Sequence, residues 1–235
     1  MSFVAAISDA ARIGTWSRAC VALAGVADQI AFTVRATSLS MLAVNSSKTT
    51  HGEVHFEQGF FNEIAFSAAG VLEDGYCRAA GAYSFVVSSK HLVMLLKNSD
   101  AASLNYVCLQ VECSTHTPAV RRYKLGVEIL TKKLVLKKYQ IGFQPVEVAP
   151  TDIPARYETR ARGNDVFQYL VPAATFKQFL DTAHAAAEDF GVEAKAGRIA
   201  FEAYTKLVLR DRDCLKQPML VTMQMAVADL ARCNL

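Results

Sequence analysis

Phe3, Ala5 and Ile7 alternate with Val4 and Ala6 in a run that is apolar on both faces, which predicts a short strand covered by a helix. Asp9 offers an N-cap, and from about Arg12 the period changes: Trp16, Cys20, Leu23 and Ala27 fall four, three and four apart and line one helical face. Arg18 projects from the opposite face, beside the small residues Ala22 and Gly25. Strand-like segments follow at Gln29–Arg35, Ser38–Ala43, Glu53–Phe56, Ile64–Ser67 and Tyr83–Val87, and Ala68–Ala82, with Gly70, Gly75 and Gly81, reads as an irregular loop. Ser88 or Ser89 then caps a second helix, Lys90–Lys97, in which Leu92, Leu95 and Leu96 share one side and Lys90 and Lys97 the other.

Three further strands are predicted at Leu104–Glu112, Val120–Leu130 and Leu134–Phe143, the last reached through the basic turn Thr131-Lys132-Lys133. Many short strands with two helices make an α+β unit spanning 1–148, and the apolar-poor stretch 149–165 reads as an extended connector. The opening theme then returns in 166–235. Val166–Val171 is a strand, Pro172 to about Glu188 a helix with Phe176, Phe179, Leu180 and Ala183 inward, Gly191–Ala196 and Arg198–Ala203 a hairpin, and a last strand lies within Met219–Leu230. Strand, amphipathic helix and hairpin thus occur twice, at Ser2–Val44 and at Phe167–Ala203.

Composition narrows this only a little. A 52% hydrophobic chain of 235 residues has ample material for a core, and 25 Lys plus Arg against 22 Asp plus Glu give a net charge of +3, too small to drive nucleic-acid binding unless the positive charge gathers on one face. Six scattered cysteines without a C-x-x-C read as reduced intracellular thiols, and the amino terminus has no charged region ahead of an apolar block. The longest apolar run, near Ala19–Ala27, is about half of a membrane span, so no membrane role is expected.

Motifs for chemistry are sparse. Phosphate-binding glycine loops are missing, Cys108-x4-Cys113-x2-His116 lacks a second ligand pair, and Ser46-Ser47-Lys48 has neither S-x-x-K spacing nor a G-x-S-x-G elbow. With no convergent nucleophile, base and orienter, neither an enzyme nor a cofactor is expected. Basic residues inform by position: Arg18, Lys90 and Lys97 each oppose a packing face, which fits either solvated charge or phosphate contact, and Lys132, Lys133, Lys137 and Lys138 flank a strand that they could protect from aggregation.

Several short motifs, in order along nearly the whole chain, resemble the sliding clamps of the PCNA type. Leu39–Lys48 is similar to the clamp hairpin that runs into an Asp/Asn-Ser-Ser turn. Met1-Ser2-Phe3, Trp16-x-Arg18-Ala19, Val54-x-Phe56 followed by Phe60-Phe61-x-Glu63, Lys138-Tyr139 with Phe143-Gln144-Pro145, Phe179-Leu180-Asp181 and Ala203-x-Thr205-Lys206 most resemble the yeast form of the checkpoint clamp subunit, the Rad nine or Ddc one type. The resemblance implies a PCNA-like DNA-clamp fold of duplicated βαβββ units and a non-catalytic, nuclear subunit of a heterotrimeric ring. Its implied partners are two other PCNA-like checkpoint clamp subunits, a clamp loader, a checkpoint kinase with its activators, and double-stranded DNA. A homotrimeric replicative clamp and an unrelated α+β enzyme or ligand-binding domain are the alternatives.

By the same resemblance Arg18 and Lys97 occupy inward-facing basic positions, and Lys90, opposite the packing face of the same helix as Lys97, is a further DNA-facing candidate. Lys177 stands in the repeated helix beside Gln178 and Asp181, where a weaker contribution is expected. Subunit contacts would come from Leu134, Leu136, Lys138, Tyr139 and Ile141 on the last strand of the first unit, and from Val221, Met223, Met225 and Val227 on the complementary edge. The second unit matches only the first half of a clamp domain, so the expectation is a fragment or a reduced subunit with one sheet face bare.

Overall fold

The computed structural model describes residues 2–67, 75–96, 100–117, 120–146, 168–183, 187, 189–205, 219–230 and 232–234. The chain divides into two compact units, Met1–Ala149 and Pro150–Leu235.

In the first unit, β1 (Ser2–Ile7) leads into α1 (Ala10–Ala24). The helix starts there because the Asp9 carboxylate accepts the Arg12 N–H at 2.9 Å, satisfying one of the amides left open at a helix start. Ile13, Trp16, Ala19, Cys20 and Leu23 form its buried stripe, as the spacing predicts; Ala27 falls beyond the helix end and is half-buried. β2 (Gln29–Val34), β3 (Ser38–Val44), β4 (His51–Glu57), β5 (Glu63–Ser67), β6 (Tyr76–Cys77) and β7 (Ala82–Ser88) follow, then α2 (Ser89–Leu96), β8 (Leu104–Thr117), β9 (Val120–Thr131), β10 (Leu136–Gly142) and β11 (Gln144–Pro145). Two antiparallel sheets result, ordered β10-β9-β8-β1-β5 and β11-β7-β2-β3-β4, with β6 added beside β7.

Both sheets and both helices share one core. Trp16 lies between Phe32 and Phe56 with ring centroids 6.3 and 5.2 Å away, and Phe32 stacks on Phe85 at 5.3 Å. Strand alternation decides which side chains enter it: Ile30, Phe32 and Val34 of β2 face Tyr83, Phe85 and Val87 of β7, while Thr33 and Ser84 bond to each other on the opposite face at 2.9 Å.

Two expectations for this unit are corrected. Within the expected loop Ala68–Ala82, Tyr76 and Cys77 pair with Tyr83 and Ala82 as β6; residues 68–74 lie outside the described residues. Gly75, at φ +79°, makes this possible, because its carbonyl must accept the Ser84 N–H where a Cβ would stand 2.6 Å from the Ser84 carbonyl. The strand expected from Leu134 begins instead at Leu136. Leu134 sits at φ +61° in a turn closed by Leu134 N–H to Thr131 O (2.9 Å), Thr131 N–H to Val135 O (3.0 Å) and Val135 N–H to Thr131 Oγ1 (3.1 Å).

The second unit contains β12 (Gln168–Leu170), α3 (Ala173–Thr182), β13 (Asp189–Lys195), β14 (Arg198–Tyr204), β15 (Leu220–Ala226) and β16 (Arg232–Asn234). β13, β14 and β15 form one antiparallel sheet in that order, and β12 pairs with β16. The β13–β14 hairpin turns at Ala196 and Gly197, both at positive φ, the geometry that matches strand twist in a two-residue loop. α3 is shorter than the expected Pro172–Glu188: Ala183 is already extended and its N–H bonds Phe179 O. Of its four expected inward residues only Phe179 is buried; Ala183 is half-buried, while Phe176 and Leu180 keep 38% and 44% of their surface because the core here is small, centred on Phe179, Ile199, Phe201 and Ala203.

Candidate nucleic-acid interface and subunit edges

The exposed face of α1 carries a stripe, Ala11, Thr15, Arg18 and Ala22, that runs on to the C-cap Gly25 at spacings of three and four and is small but for Arg18, with Val21, 54% exposed, to one side. Arg18 is its one charge. Its Nη2 donates to Thr15 Oγ1 at 3.0 Å, which steers the guanidinium along the helix surface, and among the described residues it makes no ion pair. Arg12, by contrast, is spent internally: its Nη1 donates to Phe60 O at 3.3 Å.

α2 packs next to α1, burying Leu92 and Leu96 and presenting Lys90, His91 and Met94. Lys90 Nζ lies 3.4 Å from Asp28 Oδ1, so its charge is partly neutralised, although both side chains are so exposed that the pair contributes little stability. Lys97 lies outside the described residues. In the second unit Lys177 is exposed on α3, as is Asp181.

β10 and β15 each occupy a free sheet edge among the described residues, as an edge-to-edge contact requires. The residues expected to make that contact divide by face. Leu136 and Lys138 point to the outer face of β10, where Leu136 is 46% exposed and Lys138 pairs with Glu128 of β9. Tyr139 packs against the core and Ile141 is buried in it, so for Ile141 only the backbone is open to a partner strand. Leu134 is in the turn ahead of the strand and is 77% exposed. Val221, Met223 and Met225 turn inward onto Phe201 and its neighbours, leaving Leu220, Thr222, Gln224 and Ala226 on the other face. Val227 is not in the strand: it opens a 3-10 turn, Val227–Asp229, and its N–H bonds Gly197 O at 2.9 Å.

One polar constellation escaped sequence reasoning. Ser40 Oγ lies 2.6 Å from His55 Nδ1, and His55 Nε2 lies 3.0 Å from Glu57 Oε1. The signal that could have found it is the period-two run His51, Glu53, His55, Glu57 along β4, which puts all four on one face; Ser40 joins them only once the β3–β4 register pairs it with His55. Although the order resembles a nucleophile, base and orienter, Ser40 is buried in mid-strand with paired strands on both sides, so the neighbouring amides belong to the ladder and cannot hold an oxyanion. The relay ties two strands together. No cluster of three His, Cys, Asp or Glu able to hold a metal occurs among the described residues, where Cys108 is a buried thiol whose pKa is raised, mainly by desolvation.

The hairpin turn is built as the motif Asn45-Ser46-Ser47-Lys48 implies. Asn45 Oδ1 accepts the N–H groups of Thr49 and Thr50 at 2.9 and 3.0 Å, and Lys48 takes the left-handed conformation at φ 58°.

The Rad9 family model matches residues 16–225, which take in most of each unit, β10, all of β15 but its last residue, and this turn. The chain belongs to the Rad9 family. Similar proteins include DNA damage checkpoint protein 1 of Saccharomyces cerevisiae, 30% identical over 169 residues, and DNA damage checkpoint protein 1 of Eremothecium gossypii, 27% identical over 169 residues. Each match covers 68% of this Rad9-family chain but only 28% and 31% of the relative, so the chain spans about three tenths of the curated relatives' length.

The fold is that of a PCNA-like clamp. PCNA from Entamoeba histolytica superposes with a TM-score of 0.61 at 13% identity, covering 98% of this chain and 78% of that one. PCNA from Thermococcus kodakaraensis does so at 0.60 and 13%, covering 99% and 76%.

Proposed function

We propose that this Rad9-family chain is a non-catalytic subunit of a ring-shaped, heterotrimeric clamp that encircles double-stranded DNA and supports DNA-damage checkpoint signalling and repair in the nucleus. The observation that carries the reading is the pair of free edges, β10 in one unit and β15 in the other, on a clamp fold of a checkpoint family. A ring of such subunits closes when each β10 adds to a neighbour's β15, main-chain hydrogen bonds supplying the affinity and the outward side chains the choice of neighbour. The partners are two other PCNA-like checkpoint clamp subunits, a loader that opens the ring, and a checkpoint kinase with its activators.

Arg18 is the strongest DNA-facing candidate, because its stripe of α1 carries no other charge and, among the described residues, no carboxylate pairs with it. Lys90 contributes less, being shared with Asp28, and Lys177 stands near Asp181. These are contacts to phosphate, independent of sequence and sensitive to salt.

The test is reconstitution with the two partner subunits and loader on nicked circular plasmid. The expected result is a 1:1:1 complex retained on circular DNA and lost when the circle is linearised. A stable homotrimer of this chain alone, by size exclusion with light scattering, would favour a replicative clamp and overturn the heterotrimeric reading.

A further inference from the structure

The β9–β10 corner carries a surface that the first unit does not use. Leu134, Val135 and Leu136 are consecutive and 77%, 51% and 46% exposed, framed by the exposed Lys132, Lys133 and Lys137, none of which forms an ion pair among the described residues. The corner is also rigid. Besides the three bonds that close the turn, Lys132 N–H donates to Ser103 O at 2.9 Å and Asn105 Nδ2 to Thr131 O at 3.4 Å.

Leu134 holds φ +61°, a left-handed conformation that crowds a residue with a Cβ and costs it energy. A side chain 77% exposed recovers none of that by packing within its own unit. Strain of this kind, in a pre-ordered apolar tip ringed by cations, is the arrangement of a docking point.

Charge says what docks there. Every strand pair among the described residues is antiparallel, and antiparallel addition to β10 sets the start of β10, with its lysines, against the end of the incoming strand. In this chain's own β15 that end is Ala226, whose register partner on β14 is Arg198, paired in turn with Lys195 on β13; Asp229 is the nearest carboxylate in sequence. Pairing between two copies therefore brings Lys132 and Lys133, which precede β10, to the end of the sheet that carries Arg198 and Lys195. Like charges facing each other select against an assembly while complementary ones select for it.

Resting on the clamp reading above, we infer that the Lys132–Lys137 corner recognises an acidic sheet edge with an apolar socket on a different subunit, and that the basic β13–β14 turn beside the end of β15 rejects a second copy of this chain.

The probe is the chain itself. The exposed pair Lys195 and Arg198 is replaced in a K195E/R198E variant, which gives one copy the acidic edge that the corner is expected to seek. Mixed with wild-type chain in sedimentation velocity, the variant should associate at least about tenfold more tightly than wild type with itself, and the gain should vanish in high salt. Replacing the wild-type component by a K132E/K133E variant should abolish the gain. Leu134→Gly should reduce it while leaving the turn intact, since glycine adopts φ +61° freely.

Mixing that gives no more association than wild type alone, or association indifferent to the corner substitutions, overturns the inference. Both outcomes are independent of DNA. A corner that discriminates as described in a protein never retained on circular plasmid would leave this inference standing and remove the DNA-clamp reading instead.

Discussion

Replacing Gly75 by alanine puts a methyl group where the first unit closes on itself. The new Cβ would stand 2.6 Å from the Ser84 carbonyl oxygen, 3.0 Å from Pro145 Cβ and 3.2 Å from Tyr83 Cε2. The first is a backbone atom of β7 held in the ladder, so it cannot swing away as the end of a flexible side chain would. The left-handed conformation at φ +79° adds about 1–2 kcal/mol for any residue with a Cβ, and forced overpacking adds about 1–3 kcal/mol, for a total loss of roughly 2–5 kcal/mol. Gly81 is the control: it also has positive φ, +56°, but a Cβ there meets nothing within 4 Å, so Gly81→Ala should lose only the conformational part. Trp16 is the chain's single tryptophan and is buried in the same core, so its fluorescence during urea unfolding reports this unit specifically. The Gly75→Ala midpoint should fall below that of Gly81→Ala by the equivalent of about 1–3 kcal/mol. Two variants agreeing within about 0.5 kcal/mol would show that the close approach of the Ser84 carbonyl does not demand glycine at position 75.

In the assembled clamp, Arg18→Ala should lower the slope of log affinity for duplex DNA against log salt by about 0.9, and Lys90→Ala by less because Asp28 already shares that charge; fluorescence anisotropy across a potassium chloride series measures both. Asn45→Ala removes the acceptor for the Thr49 and Thr50 amides and should speed their hydrogen exchange while leaving β2 and β7 amides protected. Burial pushes the Cys20 thiol up to about 12, so at pH 8 only about one part in ten thousand is thiolate, and it should react with a disulfide reagent only on unfolding. Cys77 is exposed, and Cys77→Ser should remove one fast-reacting thiol from the folded protein.

The parts of the fold legible in the sequence were those where one period dominates. α1 shows its stripe from Ile13 to Leu23 because a helix packed on one side must bury every third or fourth residue, and β2 shows strict alternation because Ile30, Phe32 and Val34 enter the core from one face. Leu134 defeated the reading because its apolar character belongs to an exposed corner, whereas apolar runs are ordinarily taken as strand. α3 was overextended for the same reason: Phe176 and Leu180 keep helical spacing without reaching a core large enough to bury them. Arg18 and Lys90 could be placed opposite the packing faces, but the Lys90–Asp28 pair could not, since it joins α2 to the residue before β2 across more than sixty positions. Ser40, His55 and Glu57 were invisible as a group until cross-strand register brought residues fifteen apart into contact.

Ala11, Ala22 and Gly25 have no side-chain rotamers to lose, and Thr15 already spends its hydroxyl on the Ala11 carbonyl and the Arg18 guanidinium. A duplex lying against α1 would freeze almost no side-chain freedom and find one guanidinium to bridge to a phosphate. Moving along the helix axis then means releasing one charged contact and taking the next, with only Val21 standing beside the small-residue stripe. On the proposed ring, α1 would act as a bearing surface: it keeps the duplex centred while closure of the ring, and not adhesion, prevents escape.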